Sequence, residues 1–548
     1  MPNPVLKLDP KDNVLVALRN LDRGERIDFE GQTYELASNV PAKHKFATEG
    51  FAPGSHIIMY GVLVGTAREP IQRGELLSTR NIAHATSPFD ERGNRLSWTP
   101  PDVNSWRDRT FRGFLRSDGQ VGTRNYWIVV PLVFCENRNI HVLKQAFEEE
   151  LGFAPPQVYR QQLAELILRH REGKPAAPDV SSSSAALSVP RSPVFPNIDG
   201  VKFLTHEGGC GGTREDARNL CALIAGYIHH PNVAGATILS LGCQHSQIEI
   251  LHEEIQRRNP RFDKPLLIFD QQQTGSEFQM MSRAIRATFE GLVAANNAAR
   301  SAASLSHLCV GLKCGGSDGF SGISANPALG RVSDVLVACG ARTILSEFPE
   351  LCGVEQNLID RSINPEVSAR FIHLMRDYAA RAIASRSALE MNPSPGNIKD
   401  GLLTDAMKSA GAARKGGTSP VTAVLDYPEY CTQPGLNLQC TPGNDVECVT
   451  AQTAAGASIV LFTTGLGTPT GNPIAPVIKI STNSALAHRM HDIIDLDAGS
   501  IIAREKTIPA VADELISLIV KVASGEHKTK AESLAQNDFI PWKRGVSL

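Results

Sequence analysis

The sequence predicts a multidomain α/β protein with a small β-rich N-terminal domain and an α/β body in two parts. The chain has 548 residues, more than a single hydrophobic core usually organises. In the first 90 residues, short apolar runs alternate with turn signals, which is typical of a small β domain. After residue 111, strand-like apolar runs alternate with helical segments, which indicates parallel strands joined by crossover helices.

The N-terminal domain is predicted over residues 1–90. Residues 14–17 and 56–60 are strand-like runs, and the turn at residues 21–25 is echoed at residues 71–75. Residues 91–110 are polar and contain prolines, so we interpret them as a linker.

The body is predicted as two Rossmann-like α/β domains, because such sheets carry ligands at the carboxyl ends of their strands and these runs end in small-residue loops. The first covers residues 111–304 and includes a Ser-, Ala- and Pro-rich segment at residues 173–196, which we predict to be a disordered insertion. The second covers residues 305–548. The strand-like or apolar runs are residues 126–130, 235–241 and 265–269 in the first, and 308–312, 335–337, 343–345 and 458–462 in the second.

Composition excludes several classes of function. Lys and Arg total 55 against 57 Asp and Glu, and aromatic residues are only 6%, so we expect no nucleic-acid partner. No run of about 18 apolar residues occurs, so we expect no membrane association and a cytoplasmic protein. In that reducing compartment the eleven cysteines are predicted to be buried thiols or metal ligands.

Glycine-rich loops that each carry a reactive side chain are the most informative motifs. They lie at residues 205–211, 241–245 and 313–318, and Cys135 ends an earlier strand in the same manner. Glycine lets the backbone approach a ligand and presents N–H groups to anions, so a sugar-acid carboxylate or a phosphate would fit. The alternative is that each cysteine is a small buried apolar residue. No CxxC pair supports a structural zinc site, and no loop matches a nucleotide-binding motif.

Taken in order, these loops resemble the altronate and galactarate dehydratase family over nearly the whole chain. Residues 434–438 and the last four residues are closer to the altronate dehydratases. Besides the Gly-Cys-Gly and Leu-Gly-Cys loops, the motifs that carry the resemblance are residues 117–125, 314–327, 346–350, 392–397, 441–445 and 480–483.

The resemblance implies an N-terminal SAF-type (β-clip) domain, matching His44–Lys45 and Tyr60–Gly61, joined to an α/β catalytic body. It also implies iron dependence, with manganese as a substitute, and conversion of D-altronate into 2-dehydro-3-deoxy-D-gluconate and water. For a chain of this size we expect a homo-oligomer, in the form of a dimer.

The sequence departs from the family pattern at three loops. Gln244 stands where the family has Glu, Leu466 stands where it has Arg, and Glu136 and Arg138 flank Cys135 where small apolar residues are usual. The lost arginine could bind a carboxylate in bidentate fashion. Two alternatives therefore stay open: a lyase for galactarate or another hydroxy acid, and a non-catalytic sugar-acid-binding protein.

Dehydration of an aldonate needs a base for the weakly acidic C2 proton, an acid for the C3 hydroxyl and stabilisation of an enediolate, which a divalent metal can supply. We predict His44, Lys45, His206 and His245 as acid–base candidates. Fe²⁺ bound by mixed side chains is favoured, and a [4Fe–4S] cluster held by three thiolates is the alternative. The metal candidates are Cys210, Cys243, Cys314, Asp318 and Glu347, and the substrate-binding candidates are Arg124, Asn125, Gly315, Gly316, Ser317, Asn397, Thr464 and Gly465.

Overall fold

A computed structural model describes residues 3–93, 97–155, 158–175 and 192–547. Most of the predicted insertion, residues 176–191, lies outside these described residues. The predicted β-rich N-terminal domain and α/β body with parallel sheets are both confirmed. Among the described residues, every helix is too short or too polar to traverse a lipid bilayer.

The N-terminal domain consists of three small antiparallel sheets, in the orders β1-β2-β5, β3-β4 and β6-β7-β8. Its repeated turns have the same geometry: Glu25 N–H donates to Asp22 O and Glu75 N–H to Gln72 O, both at 3.0 Å. The strands are β1 Val5–Leu6, β2 Val14–Ala17, β3 Arg26–Phe29, β4 Gln32–Glu35, β5 Lys45–Ala47, β6 His56–Met59, β7 Val62–Ala67 and β8 Ile82–Ala83.

The first part of the body contains a four-stranded parallel sheet of order β12-β11-β13-β14 and a three-stranded antiparallel sheet of order β10-β9-β15. The strands are β9 Thr110–Leu115, β10 Val121–Gly122, β11 Tyr126–Pro131, β12 Gly200–Phe203, β13 Val233–Ser240, β14 Leu266–Asp270 and β15 Arg300–Ser304. The helices are α1 Asn137–Leu151, α2 Val158–Arg171, α3 Arg214–His229, α4 Ile248–Arg258, α5 Gln271–Thr274 and α6 Glu277–Ala295.

The second part is built on a seven-stranded parallel sheet of order β18-β19-β17-β16-β20-β21-β22. The strands are β16 Cys309–Cys314, β17 Arg342–Leu345, β18 Val421–Leu425, β19 Gly435–Gln439, β20 Ile459–Thr464, β21 Val477–Ser481 and β22 Leu496–Asp497. The helices are α7 Ala325–Ala338, α8 Glu355–Asp360, α9 Pro365–Ala384, α10 Pro395–Lys399, α11 Asp405–Ala412, α12 Asp445–Ala454, α13 Ser484–Arg489, α14 Ile508–Ala523 and α15 Lys530–Ser533.

Burial on both faces explains the apolar character of the central strands. Every residue of β16 and β20 is buried, as parallel strands covered by helices require. The apolar run at residues 335–337 lies in α7, a helix that packs between strands and α14, so Val335 and Leu336 are buried without being in a strand. The consequence for function is that several loops meet at the carboxyl edge of one rigid sheet.

Candidate active site

A polar cavity of roughly 860 Å³ opens at the carboxyl edge of the seven-stranded sheet. Its walls come from the loop after β16, the turn at residues 392–397, helix α11, the N-terminus of α12 and the tail at residues 542–544. The cavity is large enough for a six-carbon sugar acid, and most of its wall comes from loops positioned by the rigid sheet.

Cys314, the last residue of β16, borders this cavity and is surrounded by lysines. Lys415 Nζ lies 2.7 Å from the sulfur of Cys314 and 2.7 Å from Glu347 Oε2. Lys313 Nζ contacts the other oxygen of Glu347 and lies 2.9 Å from Asp445 Oδ1. Lys313, Glu347 and Lys415 are almost completely buried, so these charges are paired in a low-dielectric environment.

Glu347 is held in the left-handed region of backbone space, with φ 70° and ψ 60°. Non-glycine residues rarely adopt this conformation, and where they do it is often at a functional site. The strain follows from the turn after β17, where Glu347 N–H donates to Thr441 Oγ1 at 3.0 Å. The turn aims the carboxylate at Lys313 and Lys415.

Glu350 and Lys408 form an ion pair that borders the cavity. Lys408 Nζ lies 2.8 Å from Glu350 Oε1 and 2.6 Å from Asn392 Oδ1, and the Cys314 thiol donates to Glu350 Oε2 at 3.3 Å. Burial alone would raise the pKa of Glu350, but the positive charges of Lys408, Lys415 and Lys313 lower it to about 2.

The charges around Glu350 also shift the pKa values of Cys314 and Lys408. Burial and the charge of Glu350 raise the pKa of the Cys314 thiol to about 12, against the opposing effect of Lys415. Burial acts to lower the pKa of Lys408, but Glu350 outweighs it and the pKa is raised. The cavity therefore presents an ionised carboxylate, a charged ammonium and a neutral thiol near pH 7.

The loop at Gly315, Gly316 and Ser317 presents backbone donors to the cavity. Within the part of the chain that the structure describes, the N–H groups of Gly316 and Ser317 have no hydrogen-bond partner. Asn397 steadies the loop by donating to Ser317 O at 2.8 Å, and Gly465 N–H donates to Gly316 O at 3.0 Å. Successive free N–H groups form a concave site suited to a carboxylate.

Among the described residues, Cys314, Glu347 and Glu350 form the one group of three ligand-type side chains whose donor atoms lie within 4.8 Å of one another. Each of the three is already in contact with a lysine ammonium, from Lys415, Lys313 or Lys408. A divalent cation would have to displace those ammonium groups. As folded, the group therefore offers Fe²⁺ or Mn²⁺ no ligand atom that is free of a lysine or thiol contact.

Comparison with known proteins places the chain in a family. Three family profiles match: an altronate/galactarate dehydratase SAF domain over residues 3–85, the second domain of D-galactarate dehydratase/altronate hydrolase over residues 113–296, and the C-terminal domain of D-galactarate/altronate dehydratase over residues 305–547. The altronate dehydratase of Bacillus subtilis is 34% identical over 99% of both chains.

The chain belongs to the altronate/galactarate dehydratase family. Two further members from Escherichia coli match over most of their length. Its altronate dehydratase is 32% identical over 99% of both chains, and its L-threo-forming galactarate dehydratase is 31% identical over 96% of this chain and 93% of that one.

The SAF-domain motif at His44–Lys45 does not contact the buried lysines of the cavity (Lys313, Lys408 and Lys415). It joins the N-terminal domain to the body instead. Lys43 Nζ pairs with Asp318 Oδ2 at 3.0 Å and with Asp400 Oδ1 at 2.8 Å. Lys45 Nζ donates to Gly401 O at 2.7 Å, and burial lowers its pKa to about 7. His44, partly buried between these lysines, contacts Ala42 O through Nδ1 at 3.3 Å.

Asp318 is thus separated from the other predicted metal ligands. Its Oδ1 accepts from Thr482 Oγ1 at 2.9 Å and from Ser321 Oγ at 3.1 Å, in addition to the Lys43 pair. Oδ1 is therefore held within the C-terminal part of the body, and Oδ2 makes the contact with the N-terminal domain through Lys43.

The family's histidine and cysteine loops in the first part of the body lie at another sheet edge. His206 Nε2–H donates to Pro131 O at 2.8 Å while its Nδ1 accepts from Gly208 N–H at 3.1 Å, so it is a neutral, buried structural histidine. Burial lowers its pKa to about 4. His245 and Cys210 border a separate cavity of roughly 360 Å³, and Cys243 is exposed. The predicted thiolate set of Cys210, Cys243 and Cys314 is not brought together.

The Arg124–Asn125 motif is structural as well. The Arg124 guanidinium pairs with Glu532 at 2.7 Å and donates to Val522 O at 2.7 Å. Asn125 donates to Asn197 O at 2.8 Å. The Arg124 contacts tie the four-stranded sheet to the C-terminal segment, the Asn125 contact stays within residues 111–304, and neither side chain is left free for substrate.

Of the predicted substrate-binding residues, Gly315, Gly316, Ser317 and Asn397 border the cavity. Thr464 and Gly465 lie behind them. Sequence reasoning missed the lysines and the carboxylates paired with them. A signal was present: two lysines seven residues apart in a run of small residues fall on one helical face. The functional residues missed are Lys313, Glu350, Lys408, Lys415 and Asp445.

Proposed function

We propose that this protein is a hydro-lyase that converts D-altronate into 2-dehydro-3-deoxy-D-gluconate and water. The observation that carries the proposal is the Glu350–Lys408 pair beside the two free N–H groups of Gly316 and Ser317 in one polar cavity. The full-length similarity to two altronate dehydratases supports D-altronate as the substrate.

Substrate binding follows from the charges around the cavity. The substrate carboxylate would accept from Gly316 and Ser317 N–H, close to the Lys408 ammonium. Hydrogen bonds from oriented N–H groups and a nearby positive charge stabilise the enediolate that forms when the C2 proton leaves, because its negative charge gathers on those carboxylate oxygens.

The proton transfers can then be assigned to one pair. Glu350, ionised at neutral pH, accepts the C2 proton. Lys408 gives a proton to the C3 oxygen, which leaves as water while the electron pair forms the C2–C3 double bond. The proton on Glu350 returns to Lys408 through their 2.8 Å hydrogen bond, and the enol product tautomerises to the 2-keto acid.

We further propose that the two body sheets act as separate Rossmann-like units, the second of which holds the reaction site. The protein is proposed to work in the cytoplasm as a homodimer. Light scattering of the purified chain tests the dimer.

The experiment for the proposed reaction uses a panel of aldonates and aldarates, with formation of 2-keto acid as the readout. Product from D-altronate in the wild type, and none from Glu350→Gln, is the expected result. If the folded protein forms no 2-keto acid from any acid of the panel, the result would favour the non-catalytic sugar-acid-binding protein.

A second substrate is favoured by one specific observation. Leu466 borders the cavity where the family pattern has an arginine, so the loop after β20 offers no guanidinium to a second carboxylate, although Arg381 and Arg544 border the cavity at other places. A shorter or differently substituted monocarboxylate would fit such a wall. Faster turnover of another monocarboxylic hydroxy acid than of D-altronate would move the assignment to that acid.

A further inference from the structure

Three of the eleven cysteines are exposed, and they lie together at one sheet edge. The exposed ones are Cys135, Cys210 and Cys243, whereas the other eight are buried or half-buried. Proteins usually avoid exposed free thiols because these oxidise and exchange. Three exposed thiols at one sheet edge therefore indicate a function for these cysteines.

The sheet topology brings these residues together. Cys135 follows β11, Cys210 follows β12 and Cys243 follows β13, and these three strands are adjacent in the order β12-β11-β13. Because the strands are parallel, all three loops leave the same edge of the sheet.

Backbone hydrogen bonds link the three loops at residues next to each cysteine. Phe134 N–H, beside Cys135, donates to Gly208 O at 3.0 Å. The N–H groups of His245 and Ser246, just after Cys243, donate to Gly209 O at 2.8 and 3.1 Å. The Gly208–Gly209 segment next to Cys210 is therefore the junction of all three loops.

Glycine is needed at this junction. Gly209 has φ 101°, and a Cβ there would lie 2.2 Å from Leu132 O. Gly242, beside Cys243, has φ 113°, and a Cβ there would lie 2.6 Å from Gln272 Oε1. At Gly209 the close approach is to the backbone of the loop after β11, so it is built into the fold; at Gly242 it is to the Gln272 side chain.

We propose that Cys135, Cys210 and Cys243 bind a [4Fe–4S] cluster. Their sulfurs do not all lie within 4.8 Å of one another, which is too open for one tetrahedral ion. A cubane spreads its ligands more widely, because each thiolate binds a different iron. Three protein ligands leave one iron free, and the 360 Å³ cavity bordered by Cys210 and His245 offers access to it.

This inference is independent of the proposed reaction, since the three thiols lie outside the cavity of Glu350 and Lys408. It also changes the predicted thiolate set, because Cys135 takes the place of Cys314.

The test is reconstitution of the full-length protein with Fe²⁺ and sulfide without oxygen, followed by absorption spectroscopy and iron and sulfide analysis. The expected result is a brown protein with broad absorbance near 400 nm and about four irons and four sulfides per chain. Cys135→Ser, Cys210→Ser and Cys243→Ser should each lose most of the absorbance. Cys314→Ser and the half-buried control Cys339→Ser should keep it.

Circular dichroism of each variant separates loss of the cluster from loss of the fold. A colourless wild type after reconstitution would overturn the proposal, as would zinc bound to the same thiols in place of iron and sulfide. Loss of absorbance in Cys314→Ser alone would also overturn it. None of these readouts uses sugar-acid turnover, so failure here leaves the proposed function standing.

Discussion

The ammonium of Lys415 lies 2.7 Å from the sulfur of Cys314, so the thiol sits inside a charge cluster without being a thiolate. Burial and Glu350 outweigh the lysine and raise the thiol pKa to about 12. A cysteine beside a lysine is usually expected to be reactive, and here burial and a carboxylate reverse that expectation.

Alkylation should therefore distinguish Cys314 from the exposed thiols. In reduced, metal-free protein treated with iodoacetamide at pH 7.5, we expect Cys135, Cys210 and Cys243 to be modified and Cys314 to be spared until the chain unfolds. Mass spectrometry of peptides after timed labelling measures this. Labelling of Cys314 at the rate of Cys210 would contradict the pKa direction given above.

Removing either member of the acid–base pair should abolish most activity. We expect kcat to fall by roughly 10²- to 10⁴-fold in Glu350→Gln and in Lys408→Met, because each loses one proton-transfer step. Lys506→Ala is the matched control, since Lys506 pairs with Glu514 at the exposed surface. Both variants should keep the wild-type circular dichroism, and full activity in folded Glu350→Gln would remove Glu350 from the mechanism.

Arginine at position 466 should change selectivity more than fold. A guanidinium at this position can pair with a second carboxylate of the substrate, and such a charged contact contributes about 1.5–3 kcal/mol. Leu466→Arg should therefore raise the ratio of kcat/KM for aldarates to kcat/KM for aldonates by roughly 10- to 100-fold. Leu466→Met serves as the control for side-chain length. An unchanged ratio of the two kcat/KM values would show that this wall does not contact the substrate.

His206 should make the protein acid-sensitive. Its folded pKa of about 4 lies below the unfolded value, so the unfolded chain binds the extra proton between about pH 6.5 and 4. Its contribution to stability is present above pH 6.5 and is lost as the pH falls towards 4, by up to about 3 kcal/mol. Urea unfolding at pH 7 and pH 5 measures this loss. The free energy of unfolding should change less between the two pH values in His206→Asn than in the wild type. The control Gln32→Ala, which removes an exposed uncharged side chain, should keep the wild-type dependence.

The Lys43–Asp318 pair should be strongly coupled across the domain contact. Asp318 is fully buried, so Lys43→Met leaves an unpaired charge and should cost roughly 3–5 kcal/mol of unfolding free energy. The double variant with Asp318→Asn should recover much of that loss in a double-mutant cycle. The exposed Arg26–Glu35 pair is the control, with an expected coupling below about 1 kcal/mol.

The sequence predicted the candidate site only in part. The sequence predicted the loop after β16, because glycines after an apolar run are typical of a ligand-binding loop. Its residues Gly315, Gly316 and Ser317 do border the cavity. Lys408 and Lys415 were not recognised: their seven-residue spacing places them on one helical face, but the sequence pattern does not show that this face is buried. His206 and Arg124 were assigned chemistry, but backbone carbonyls and Glu532 occupy their donors.

By itself the sequence determined the class of protein: a β-rich N-terminal domain, parallel α/β units and loops that match one dehydratase family over the whole chain. Local patterns suffice for this, because strand burial and turn chemistry are set within a few residues. Only the tertiary structure decided which loops share a site. It separated Cys314 from Cys210 and Cys243, and it paired Glu350 with Lys408 across 58 positions of sequence. Such pairings depend on strand order and crossover connections, which local sequence patterns do not determine.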